Sequence, residues 1–313
     1  MVNGAGYHGG MNHIQRYLTE EVVEDYADGV IDRREALRQL GLLGVAAASA
    51  LGLLAACDTG GTPDPVPPAA TAGPSSAGPA PAGPSALPTQ AITFPGPQGR
   101  TLMGAYAAAA TAKGAVLVIH ENRGLTDHIQ SVAGRLAASG FSALALDLLS
   151  EEGGTAKFTD PAQATGALNA APPDRFVADM KAAVGELATR QPNLKIGAVG
   201  FCFGGGMVWS LLNSGEPRLR AAAPFYGPLP SPANFAGSPN AAVLGIYAEQ
   251  DTRINADRDA AEAALKAANL PHELVTYPGV NHAFFNDTGA RYNADIANQA
   301  YNKLLAWFNQ YLV

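Results

Sequence analysis

The 313-residue chain predicts an α/β fold with a mostly parallel central sheet covered by helices on both faces. Three observations carry this. Short continuous apolar runs such as residues 115–119 (Ala-Val-Leu-Val-Ile) alternate with longer helical stretches, as expected of strands buried on both faces and joined by helical crossovers. The candidate strands end in polar and ionisable residues, at the edge where open α/β sheets gather their functional groups. One of them runs into Gly200-Phe201-Cys202-Phe203-Gly204, the form of a sharp strand-to-helix bend that presents a nucleophile.

Taken in order, residues 91–94 and 102–106 predict a leading hairpin, and 115–119 the first buried strand. A helix over 127–139 is stopped by Gly140, and residues 141–146 form the next strand. A polar, Gly-rich loop is expected through Asp160. Pro172-Pro173-Asp174 caps a helix running to about Arg190. The strand 195–200 then leads through the bend into a helix from about 204 to 213. Residues 221–226 and 243–248 are further strands, 257–268 a helix, 273–277 a strand and 293–311 a closing helix.

Composition divides the chain into three: a leader over 1–57, a linker over 58–89 and a catalytic domain over 90–313. Ahead of the apolar run 40–56 stands Asp32-Arg33-Arg34-Glu35, and the run ends Leu54-Ala55-Ala56-Cys57. Paired arginines before a weakly hydrophobic stretch fit a twin-arginine export signal. The small residues before Cys57 resemble a bacterial lipoprotein processing site, in which that cysteine is lipidated. An uncleaved span of 17 residues would be marginal for a bilayer. The expectation is export and lipid anchoring at the outer face of the cytoplasmic membrane. The Pro/Ala/Gly-rich linker cannot bury enough apolar surface to order itself and reads as a tether.

Net charge is −7. No basic stripe with interleaved aromatics appears, so nucleic acid is not an expected partner. With Cys57 assigned to lipid, Cys202 has no disulfide partner. No His/Cys/Asp cluster shows metal-ligand spacing, and Gly204-Gly205-Gly206 lacks the Lys-Ser/Thr of a phosphate loop. Neither metal nor cofactor is expected, and the expected oligomeric state is a monomer.

Cys202 is the candidate nucleophile, set at a helix N-terminus where the dipole favours thiolate. His282, just past the strand 273–277, would relay the proton. Asp251, after the strand 243–248, would fix the imidazole tautomer; Asp147, ending another strand, is the runner-up acid. Backbone N–H groups of Phe203 and Asn122 would form an oxyanion hole. His120 and His128 flank the Glu121 loop and are read as structural.

These residues resemble the dienelactone hydrolase family of α/β-hydrolases. The match rests on His120-Glu121-Asn122-Arg123-Gly124, on Gly200-Phe201-Cys202-Phe203-Gly204-Gly205, on Asp251 and on Pro278-Gly279-Val280-Asn281-His282-Ala283-Phe284. The resemblance implies a Cys202–His282–Asp251 triad, a thioester intermediate and small ester or lactone substrates. It also implies that Glu121 contacts the resting thiol and assists its deprotonation. The family's founding enzyme holds its substrate's carboxylate with arginines, one of them four residues past the catalytic histidine. Here that position is Asn286; Asn286 and Arg123 are the candidate substrate contacts, with Arg123 the candidate for an anion. A ligand-binding lipoprotein whose catalysis has lapsed, and an acyltransferase or peptidase on the same triad, are the competing functions.

Overall fold

The computed structural model describes residues 11–57 and 80–313. The expected linker lies mostly outside the described residues. Three N-terminal helices, α1 (His13–Ala27), α2 (Arg33–Leu42) and α3 (Ala47–Cys57), precede β1 (Gln90–Pro95), β2 (Thr101–Ala107) and β3 (Gly114–Ile119). Then come α4 (Asp127–Ala138), β4 (Phe141–Asp147), α5 (Pro161–Ala170), α6 (Pro173–Arg190), β5 (Ile196–Phe201) and α7 (Phe203–Asn213). The chain closes through β6 (Leu219–Phe225), β7 (Ala242–Ala248), α8 (Thr252–Asn255), α9 (Arg258–Ala267), β8 (His272–Tyr277) and α10 (Ala294–Leu312).

Eight strands form one sheet in the order β1-β2-β4-β3-β5-β6-β7-β8. The first hairpin and the β2–β4 pair are antiparallel, and every later pairing is parallel. This is the mostly parallel α/β architecture that the alternating pattern predicts. All six residues of β3 and of β5 are buried. Strands with no exposed face must be apolar on both sides, which is why they read as continuous hydrophobic runs.

Local differences from the expected elements have local causes. Asp160, expected inside a loop, accepts a hydrogen bond from the Ala162 amide and caps α5, with Pro161 at its first turn. Pro172 caps α6 without a side-chain bond, and Asp174 lies in the first turn, where it complements the helix dipole. The segment 80–89, expected as linker, is held in place. The Ala80 carbonyl accepts from the Tyr292 hydroxyl, the Ala82 carbonyl from Arg135, and the Leu87 amide donates to the Gly134 carbonyl. Hydrogen bonds to its backbone and the burial of Ala82 order this Pro-rich stretch, which composition alone does not register.

The segment expected as a leader is helical and seated on the domain. Leu18, Ala36, Leu40 and Leu54 are fully buried in the same hydrophobic core as the sheet. Asn12 caps α1 in a reciprocal capping box with Gln15. Among the described residues no helix is long and apolar enough to cross a membrane. The seat of α1 lies over the carboxyl ends of β5, β7 and β8.

Candidate active site

The bend after β5 is made by a single residue. Cys202 stands between the last strand residue and the first helical one with φ 58° and ψ −122°, a region that non-glycine residues enter only under strain and typically at functional sites. Its flanking glycines are there for space. A Cβ at Gly200 would lie 2.1 Å from the Gly204 carbonyl oxygen, and one at Gly204 would lie 2.3 Å from the Ile119 carbonyl oxygen. The end of β3 therefore presses directly on the bend, bringing the Glu121 loop against it. The Phe203 amide is the first of α7 and has no intrahelical partner. The Asn122 carbonyl accepts from the Thr165 hydroxyl at 2.9 Å, fixing the loop that carries the second candidate donor.

Two other strand ends complete the constellation. His282 is fully buried, with Nδ1 2.6 Å from Oδ2 of Asp251. The other oxygen of Asp251 accepts from the Ile254 amide at 3.2 Å and caps α8. Helix cap and imidazole partner are one carboxylate with two oxygens. The edge of the Tyr226 ring packs on His282 with centroids 5.0 Å apart. A ring nitrogen of His282 and Sγ of Cys202 lie within 4.8 Å of each other. Asp147, the runner-up acid, is elsewhere: its oxygens accept from the Leu149 amide and from the amide and hydroxyl of Thr155.

The remaining candidates divide. Nδ1 of His120 is 2.6 Å from the Glu121 carbonyl, and its Nε2 accepts from the Leu148 amide, so it ties two loops together. His128 pairs with Asp287. Asn286, expected to face substrate, donates at 2.5 Å to Oε2 of Glu121, while Oε1 of Glu121 is buried without a partner. Burial raises the pKa of Glu121 above the ordinary carboxylate range, and the nearby cations only moderate this. Glu121, Arg123, Asn286 and Cys202 share one cavity of about 330 Å³.

The resting thiol's neighbour is one the sequence reading did not name. The Tyr17 hydroxyl of α1 lies 3.0 Å from Sγ and 3.4 Å from Nε2 of His282. One turn on, Oε1 of Glu21 is 3.4 Å from the same Nε2. Arg253, two residues past Asp251, covers the Tyr17 ring at 4.7 Å and pairs with Glu21 at 2.5 Å and Glu24 at 2.9 Å. The signal for these residues was present as helical spacing: Tyr17, Glu21, Glu24 and Asp28 recur along one face of a short acidic stretch. Reading 1–57 as an address alone passed over it.

The thiol, expected exposed at the sheet edge, is 4% exposed under α1. Its charge state follows. Burial pushes the Cys202 pKa up and the Glu21 carboxylate pushes it further, against the His282 ring. Burial would lower His282, but Glu21 and Asp251 together hold it well above the ordinary imidazole value. Burial would raise Asp251, but His282, Arg253 and the Ile254 amide together hold it below the ordinary carboxylate range. The favoured resting state is thus a neutral thiol beside an imidazolium between two carboxylates. Glu21, Cys202 and His282 also place three donor atoms within 4.8 Å of one another, but His282 already has both carboxylates as partners.

Comparison with known proteins agrees with the architecture. The profile of the dienelactone hydrolase family matches residues 103–312. A Salmonella typhi protein with the provisional name carboxymethylenebutenolidase is 34% identical over 230 residues, covering 68% of this chain and 84% of its own length. An Escherichia coli protein of the same provisional name is 33% identical over 209 residues, 63% of this chain and 76% of its own. Among solved structures, a provisionally named dienelactone hydrolase from Klebsiella pneumoniae superposes with a TM-score of 0.62 at 30% identity, over 72% of this chain and all of its own. A dienelactone hydrolase-like promiscuous phosphotriesterase from metagenomic libraries shares the fold at 23% identity and a TM-score of 0.61, over 72% of this chain and all of its own. The chain belongs to the dienelactone hydrolase family of α/β-hydrolases, and it is a hydrolase acting on ester bonds.

Proposed function

We propose that the protein cleaves small esters or lactones through a Cys202–His282–Asp251 triad and a thioester intermediate. The observation that carries this is the 2.6 Å Asp251–His282 bond beside a sulfur held at a strained strand-to-helix bend. In the working state the Cys202 thiolate attacks the acyl carbon, and the carbonyl electrons move to an oxygen facing the Phe203 and Asn122 amides. His282 gives a proton to the departing alkoxide, then takes one from the water that attacks the thioester; the C–S bond breaks as the carbonyl re-forms, and the Cys202 thiolate is regenerated beside the imidazolium. Asp251 keeps the proton of the neutral ring on Nδ1, so that Nε2 serves both steps.

Glu121 supplies the remaining proton traffic. A carboxyl whose charge is disfavoured by burial, with one oxygen unpartnered beside the cavity, is suited to accept a proton from the thiol when substrate arrives. Arg123, lining the same cavity, offers the substrate a cation. With asparagine at 286 already bonded to Glu121, an anionic lactone has one clamp fewer than in the family's founding enzyme.

The same proposal includes export. The paired arginines, the weakly hydrophobic run and Cys57 support a lipid-anchored enzyme outside the cytoplasmic membrane, tethered through its Pro-rich segment. Cys57→Ser should move the protein from the membrane fraction to the soluble fraction.

A panel of short-chain aryl esters and lactones tests the chemistry. Cys202→Ala should lose roughly four or more orders of magnitude in turnover, and mass spectrometry should find the acyl group on the Cys202 peptide. Turnover equal to wild type in Cys202→Ala would end the cysteine mechanism.

A further inference from the structure

The face above the thiol is occupied by a segment of the chain itself. Helix α1 places the Tyr17 hydroxyl 3.0 Å from Sγ, inside the roughly 3–3.5 Å at which an acyl carbon must stand to be attacked. Glu21 meets Nε2 of His282, the atom that the reaction uses for both proton transfers. The contacts that seat the helix come from the catalytic loops: Arg253 beside Asp251 pairs with Glu21 and Glu24. Arg291 pairs with Asp25 at 2.8 Å and Asp28 at 2.7 Å, and Asn281, next to His282, donates to Asp28. Gln15 reaches the Asn169 carbonyl on α5 at 3.4 Å. We propose that the cleft over Cys202 is a docking surface for an acidic, tyrosine-bearing helix, and that its resident occupant, α1, holds the enzyme closed until it is displaced.

The occupant fits by shape and by charge. Its apolar side, with Ile14, Leu18 and Val22 buried, supplies the area, and its acidic face meets the two arginines. Glu21 also takes the electrostatic place that the thiolate would hold: it is the anion facing the imidazolium, so the sulfur keeps its proton. Blocking and silencing are thus consequences of one contact. The inference rests on Cys202 being the nucleophile. It gives the leader a role besides export, because removal of residues 1–56 by processing would carry the plug away and leave Cys57 as the anchor.

The reactivity of the thiol, followed by mass on the Cys202 peptide during alkylation with iodoacetamide, tests this on the full chain. Asp25→Arg with Asp28→Arg turns two attractions to Arg291 into repulsions. Alkylation should speed up about tenfold or more, as when a state populated at a few per cent becomes the main one. Adding Arg291→Asp to that variant should restore pairing and slow alkylation again. A protease site placed within residues 58–79 and cut after folding gives a second arm that needs no change in α1. The cut protein should alkylate faster on dilution, and a peptide spanning residues 11–43 should slow it. Alkylation unchanged or slower in the charge-reversed and cut proteins overturns the proposal. So does faster alkylation with ester turnover reduced, which would make α1 a working wall of the site. Faster alkylation with no ester turnover in any form would retain the plug and remove the esterase reading.

Discussion

Asp147 and Asp251 look alike in the sequence. Each follows a buried strand at the carboxyl edge of the sheet, and each is itself buried, at 5% and 0% exposure. The molecule uses them differently. Asp147 spends its oxygens on the Leu149 and Thr155 amides and the Thr155 hydroxyl, all within eight residues along the chain. Asp251 spends one oxygen on its own helix and the other on His282, 31 residues away. A carboxylate satisfied locally holds a loop; one with an oxygen left over can serve a distant imidazole. Placement at a strand end is therefore necessary for a site residue and does not suffice.

Substitution to asparagine breaks this comparison most directly. Asp251→Asn should lower kcat for ester cleavage by about 10²–10⁴-fold, the cost of a wrong imidazole tautomer. Asp147→Asn should leave kcat within a few-fold and cost about 1–3 kcal/mol of stability, as buried acceptors are lost; kinetics and denaturant melts on both variants measure the contrast. Equal kinetic losses would erase the distinction.

Glu21 sharpens it, being the second carboxylate on the imidazole that Asp251 holds. Because Glu21 and Asp251 raise His282 despite its burial, the His282 charge stabilises the folded state fully below the unfolded value of about 6.5. That contribution is lost as pH rises through the raised folded value. Glu21→Gln should thus destabilise more at pH 6 than at pH 9, with a residual cost at high pH because its Arg253 partner remains. Thermal melts across that range measure it, and a cost independent of pH would mean that Glu21 acts on Arg253 alone. The smallest effect is expected at Asn286. Asn286→Ala removes a donor that lowers the pKa of Glu121, so the carboxyl should titrate higher and kcat/KM change by no more than about tenfold. A pH–rate profile would show the displaced limb.

Much of the catalytic half was legible because its signals are local. The Gly200–Gly204 bend is written in five consecutive residues whose spacing backbone sterics dictate. The strands β3 and β5 are apolar because both faces are covered, and the hairpin β1–β2 and helix α10 follow from short-range periodicity. The contacts of the N-terminal helices were not legible, for the opposite reason. Residues 33–57 carry an export pattern strong enough to absorb the segment, while α1 meets the candidate site through partners more than 180 residues away: Cys202, Arg253, His282 and Arg291.

By itself the sequence determined the parallel α/β sheet and the bend at Cys202, since each follows from periodicity or from steric rules spanning a few residues. Only the tertiary structure decided which strand-end aspartate meets the imidazole, that Asn286 serves Glu121, and that a tyrosine and a glutamate from the first helix sit on the thiol. Those are through-space pairings, fixed by which loops the sheet order brings together and by where buried charges find partners, and no local pattern encodes them.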